Sequence, residues 1–194
     1  MKRFFFSLTS DTKTVDFGGV KILIRAAAIL GFVGLIALGA NAKIPLPWTA
    51  VPLTLQTLFV LLAGALLGPI DGAAAVAGYL LLGAAGAPLF ALSSGATGLS
   101  YFAGVTGGYL IGFFLAAIFV GVAVRMTAKP GLQLAAVFAG AFLILAIGTI
   151  WLGFVLKVSP DKAAMAGFVP FVIGDIAKAT IAFGMYRWMR GART

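Results

Sequence analysis

The chain has 194 residues, of which 62% are hydrophobic and 10% charged, and its mean hydropathy is +1.12. It contains no cysteine and no histidine, which excludes disulfide frameworks, Cys/His zinc sites, thiol nucleophiles and the Ser/His/Asp triad. The net charge of +9 does not point to nucleic acid, because the basic residues flank apolar runs of membrane-spanning length instead of sharing one polar face.

The opening segment, "MKRFFFSLTSDTKTVDFGG", has a basic start but only a three-phenylalanine apolar patch. That is too short for a signal-peptide core and predicts a tail at the membrane surface. The first apolar run, roughly 22 to 41, is long enough to span. It carries Ala27 and Gly31 four positions apart, with Gly34, Ala37 and Gly39 beyond. Such small residues let a second helix approach closely, either a partner's or one of the chain's own. The second run, roughly 51 to 67, opens on "VPLTLQTLF". Thr54, Gln56 and Thr57 there offer donors and acceptors to a ligand or to a neighbouring helix. "GPID" follows, with Gly68 and Pro69 ending one helix and opening the next, which predicts a tight hairpin into the third run, roughly 70 to 87.

A long connection, "GAPLFALSSGATGLSYFAG", brings Phe90, Ser93, Ser94 and Tyr101 before the fourth run, roughly 104 to 124. That run begins "GVTGGYLIGF", with Gly104, Gly107 and Gly108 around Thr106. The pattern fits a loop approached closely by a ligand and equally fits tight packing. Tyr79, Tyr101 and Tyr109 each combine an apolar ring with a polar tip, and interfacial anchoring is expected for at least two of them. The fifth and sixth runs, roughly 132 to 156 and 166 to 188, are joined by "KVSPDKAAMAGFVP".

Six spans predict an all-α polytopic membrane protein with both termini on one side. The positive-inside rule assigns that side to the cytoplasm: ten of the 14 basic residues fall there, against Lys43, Lys157 and Lys162 outside, with Lys178 inside a span. The implied organisation is a cytoplasmic tail over 1–21, a six-helix substrate-binding domain over 22–190 and a short tail over 191–194. Outer connections rich in Gly, Ser, Pro and aromatic residues suit a lid over a site open to the outside.

The sixth run reads "PFVIGDIAKATIAF". Asp175 and Lys178, three apart, share a helical face. An ionisable side chain at membrane depth costs roughly 2.5 to 3.5 kcal/mol on insertion scales, so such residues usually face the interior and mark a site. A mutual ion pair alone adds little stability once desolvation is counted. A small molecule with N–H donors for the carboxylate and an anionic group for the ammonium fits better. Phe168, Phe171, Ile173 and Ile176 surround the pair with apolar surface. With no GxxxxGK[ST] phosphate loop, no activated nucleophile and no glutamate, the chain is not expected to be an enzyme or to hydrolyse ATP itself.

Three blocks, "VPLTLQTLFVLLAGALLGP", "YLLLGAAGAPLFA" leading to "GVTGGYLIGF", and "PFVIGDIAKA", together resemble BioY, the S component of biotin transporters of the energy-coupling factor type. The resemblance covers nearly the whole chain beyond the N-terminal tail. It implies a six-helix protein in a bacterial inner membrane that binds biotin with high affinity from outside. It also implies a transmembrane coupling (T) subunit, cytoplasmic ATPase (A) subunits and no cofactor. The family's GDxxK motif maps onto Gly174, Asp175 and Lys178. The substrate-binding candidates are then Asp175, Lys178, Gln56, Thr54, Tyr79, Phe90, Ser93, Ser94, Tyr101 and Thr106. Ala27 and Gly31 match the Ala-rich face that docks on the coupling subunit, Gly31 replacing the second alanine. The chain also departs from the pattern with Val105 where proline is common and with no basic residue in the preceding loop. Two other readings remain open: an S component for another vitamin, and a proton-coupled carrier or channel using Asp175 as a relay. A third is a scaffold subunit in which Asp175 and Lys178 only pair with each other.

Overall fold

The computed structural model describes residues 17–91 and 98–191. Most of the predicted N-terminal tail, Ser93 and Ser94, and nearly all of the short C-terminal tail lie outside the described residues.

Helix α1, Phe17–Asn41, contains no proline and runs unbroken until Asn41 turns its amide back onto the Ala37 carbonyl at 2.9 Å. Pro45, Pro47 and Pro52 then deny the chain a helix. A two-stranded antiparallel ribbon forms instead, β1 (Lys43–Ile44) with β2 (Leu53–Thr54), Lys43 opposite Thr54 and Ile44 opposite Leu53. Helix α2 consequently begins at Gln56 and ends at Leu67, five residues later than the sequence alone predicts. Gly68, at φ +99°, closes it in a conformation that costs glycine little, and Pro69 occupies the first turn of α3, Pro69–Ala84.

The long connections before α5 and after α6 contain two short helices that the sequence reading treats as loop: α4, Leu99–Ala103, and α7, Pro160–Gly167. Between and after them come α5 (Gly107–Ala123), α6 (Pro130–Leu156) and α8 (Val169–Gly191). The six long helices occupy the six predicted apolar runs. By length and composition α1, α6 and α8 are each able to cross a membrane, whereas α2, α3 and α5 are shorter. Helix α2, with 12 residues, rises only about 18 Å, less than a hydrocarbon core of about 30 Å. The β1–β2 ribbon precedes it and lines a cavity with Thr54.

Helix α5 packs most extensively on α6 and also on α2 and α3, while α1 and α8 each pack on α2. Both described ends lie at one end of the bundle. Near the start of α1, Arg25 donates to the Asp71 carboxylate of α3 at 2.5 to 2.9 Å. Near the end of α8, Arg187 donates to Gln133 Oε1 of α6 at 3.5 Å. At this same end Arg125 caps α2, donating to the carbonyls of Gly64, Ala65 and Leu66 at 3.3 to 3.4 Å and to Gly121 O at 2.9 Å. Gln133, fully buried, donates to Val124 O and Thr127 O at 3.0 and 2.9 Å and ties down the α5–α6 turn. Large apolar side chains such as Ile150, Phe154, Ile173 and Trp188 point outward, the surface expected of a bundle whose solvent is lipid.

Candidate functional site

At the end of the bundle opposite the described termini, a cavity opens between β2, the start of α2, α4, α5, α6 and α8. Helix α8 contributes Phe171, Asp175 and Lys178, one turn apart along a single stripe. Asp175 is 4% exposed and Lys178 7%. The two form an ion pair, and Lys178 Nζ also donates to the Thr54 carbonyl at 3.0 Å. That carbonyl is free to accept because Thr54 sits in the ribbon, one residue before the N-cap of α2. The proline-enforced break before α2 thus supplies a ligand to the buried ammonium.

Gln56, in the first turn of α2, is fixed from both sides. Its Nε2 donates to the Tyr79 hydroxyl on α3 at 2.6 Å, and Thr54 Oγ1 donates to its Oε1 at 3.4 Å. Thr57 stands beside it on the wall. Tyr101 of α4 and Thr106 before α5 line the cavity too, and Tyr101 donates its hydroxyl to Ala91 O at 3.3 Å. The apolar side consists of Leu110 and Phe113 of α5, Ile144 and Leu145 of α6, and Phe171. The walls stand close. About 500 Å³ lies between the atoms with the open mouth included, and about 50 Å³ of that leaves room for water-sized spheres.

The structure brings Thr54, Gln56, Tyr101, Thr106, Asp175 and Lys178 together on this wall. Tyr79 and Phe90 do not line it. Tyr79 is fully buried behind Gln56, and Phe90 stacks on Tyr101 at 4.6 Å and meets Tyr79 edge-on at 5.5 Å, so both support residues that do. The expectation of interfacial tyrosines is corrected: Tyr79, Tyr101 and Tyr109 are all buried. Each hydroxyl finds a protein partner instead of the membrane surface, that of Tyr109 donating to Gly167 O at 2.6 Å. Of the apolar residues expected around the pair, only Phe171 lines the cavity; Ile173 and Ile176 point outward and Phe168 packs edge-on against Phe142.

Gly107 and Gly108 serve packing. A Cβ on Gly107 would meet the Phe102 carbonyl and one on Gly108 the Trp151 side chain, while Trp151 Nε1 donates to Gly104 O at 2.9 Å. The wall residues Leu110, Phe113, Ile144 and Leu145 were not singled out by sequence, because their helical spacing is that of any core face. Ala27 and Gly31 lie far from the cavity on the exposed face of α1, and a Cβ on Gly31 would have nothing within 4 Å. Among the described residues no three of His, Cys, Asp and Glu gather as a metal site.

A carboxylate, an ammonium, a fixed amide and an apolar wall in one cavity suit a neutral or anionic small molecule with N–H donors at one end and an acceptor at the other. The BioY family model matches residues 11–193. The chain belongs to the BioY family. A relative from Thermotoga maritima, "Biotin transporter BioY", is 42% identical over 151 residues, covering 78% of this chain and 86% of the relative. The BioY protein of Rhodobacter capsulatus, also named a biotin transporter, is 37% identical over 159 residues, covering 76% and 82%. A crystal structure of the S-component for biotin from an ECF-type ABC transporter superposes with a TM-score of 0.78 at 27% identity, covering 91% of this chain and 94% of that one. The BioY resemblance read from the three sequence blocks is therefore borne out over almost the full length.

Proposed function

We propose that this chain is the high-affinity biotin-binding S component of an energy-coupling factor transporter. In this reading its six long helices all cross a bacterial inner membrane, with both termini cytoplasmic and the cavity facing outward. Biotin is captured from outside and delivered inward with a coupling subunit and a pair of ATPase subunits, the chain itself not being an enzyme. The observation that carries the proposal is the buried Asp175–Lys178 pair set in a cavity wall beside Gln56, in a chain of the BioY family. Biotin's ureido N–H groups match a carboxylate, its valerate carboxylate matches an ammonium, and its bicyclic body matches the apolar wall.

The close walls bear on mechanism. With the walls this close, biotin entering the cavity displaces the Asp175–Lys178 contact. The ligand then replaces the Asp175–Lys178 contact with two of its own, which offsets part of the cost of opening it. The test is calorimetric titration of biotin into purified, ligand-stripped protein in detergent. Saturable one-to-one binding is expected; folded protein that gives no heat and no competition with labelled biotin would overturn the assignment.

The coupling subunit is assigned to the exposed Ala27 and Gly31 face of α1, where nothing in the chain fills the space beside Gly31. Gly31→Trp is expected to leave biotin titration unchanged while lowering co-purification with the coupling and ATPase subunits by on the order of tenfold, the effect of an interface hot spot. Undiminished co-purification would move the docking face elsewhere.

A further inference from the structure

The bundle end that carries Phe17 and Gly191 holds a second cavity, of about 260 Å³, lined by Ala65 and Leu66 of α2, Arg125, and Tyr186, Met189 and Arg190 of α8. Its two guanidinium groups come from separate parts of the chain. Arg125 follows α5 and is oriented by its bonds to the α2 carbonyls. Arg190 is oriented by its own helix, donating to the buried Tyr186 hydroxyl at 2.7 Å with its guanidinium 6.0 Å from the centre of that ring.

Among the described residues neither arginine has a carboxylate partner. Among the described residues the acid at this end is Asp71, which Arg25 already engages through both oxygens. Arg187 adds a further cation nearby, turned toward Gln133. A neighbouring groove shares Leu66 and Met189 with this cavity; its walls are Ile24, Ala28 and Phe32 of α1 together with Leu67, and Lys21 and the Arg25–Asp71 pair line it too. The groove exists because α1 and α8 each pack on α2 rather than on one another.

A pocket with two guanidinium groups that no described carboxylate neutralises, beside a mainly apolar groove between helices, has the two halves of a phospholipid in complementary form. Guanidinium forks take phosphate oxygens in pairs, and the groove takes an acyl chain. We propose that this end of the bundle binds an anionic phospholipid, its phosphate held by Arg125 and Arg190 and an acyl chain lying against Phe32, Leu66 and Met189. The lipid would bridge α1 to α8, which pack little on one another, and supply a counter-charge that the described residues do not.

The test is native mass spectrometry of the full chain released from micelles containing phosphatidylglycerol or phosphatidylcholine with identical acyl chains. The wild type is expected to retain phosphatidylglycerol preferentially, by about fivefold for each arginine at the membrane surface. Arg190→Gln, which removes a hydrogen bond to Tyr186 of the same helix, should lower that preference by a similar factor while leaving biotin titration unchanged. Arg125→Gln is the less decisive variant because it also uncaps α2. Equal retention of the two lipids, or an unaltered preference in Arg190→Gln, overturns the proposal. So does stripping of the bound lipid by inorganic phosphate, which would make the ligand a soluble anion.

Discussion

Lys178→Met is expected to abolish measurable biotin binding and to destabilise the protein more than the double change Asp175→Asn/Lys178→Met does. The single change strands a carboxylate that is 4% exposed, with its cationic partner gone and the Thr54 carbonyl left without its donor. Removing one member of a buried pair costs about 3 to 5 kcal/mol, whereas replacing both by neutral groups of similar volume is often close to neutral. Stability should therefore return in the double variant, seen as a thermal unfolding midpoint near the wild type. Binding should not return, because the ligand's polar ends still meet a neutral wall. That divergence separates the capture reading from the scaffold reading, in which the pair serves only itself. Wild-type biotin affinity in folded Lys178→Met protein would rule out the ammonium as a ligand contact.

How much of this was legible in the sequence depends on the range of the signal. Apolar runs and the Gly68–Pro69 punctuation are local, and all six long helices were found from them. The pair Asp175 and Lys178 was legible because charge inside an apolar run is costly wherever the chain folds. Gln56 and Thr54 were legible as polar groups, but not their arrangement. The bond from Lys178 to Thr54 O joins residues 124 apart, and it depends on a ribbon of two-residue strands that no alternation pattern announces. Tyr79 and Tyr109 failed as interface anchors for a related reason. Their hydroxyl partners, Gln56 Nε2 and Gly167 O, lie 23 and 58 residues away, and a tyrosine whose hydroxyl has a buried hydrogen-bond partner has no need of the interface. The apolar wall was invisible because a residue facing a ligand and one facing another helix obey the same period.

The second large effect is expected far from the cavity. Gly64→Leu should yield little or no folded protein, whereas Gly34→Leu should fold and bind biotin like the wild type. Both glycines sit inside apolar helices and look alike in sequence. A Cβ on Gly34 would have nothing within 4 Å, but one on Gly64 would lie 2.5 Å from the Ala117 carbonyl oxygen and 3.0 Å from its Cα. These are backbone atoms of α5, so no rotamer change relieves the clash and the helices themselves must separate, at more than about 3 kcal/mol. The same junction is tight on its other sides. A Cβ on Gly72 would lie 2.9 Å from Gly64 Cα, and one on Gly121 2.5 Å from Pro69 N. Arg125 bonds the Gly64 and Gly121 carbonyls across it. Helix α2 is only three turns long, and this junction anchors the end opposite Gln56. Gly64→Ala, the smaller intrusion, is therefore expected to weaken biotin binding without changing any cavity residue, by tilting α2 and moving Gln56 off Tyr79. An unfolding midpoint and biotin affinity both unchanged in Gly64→Leu would mean that the α2–α5 contact is not what holds the site in register.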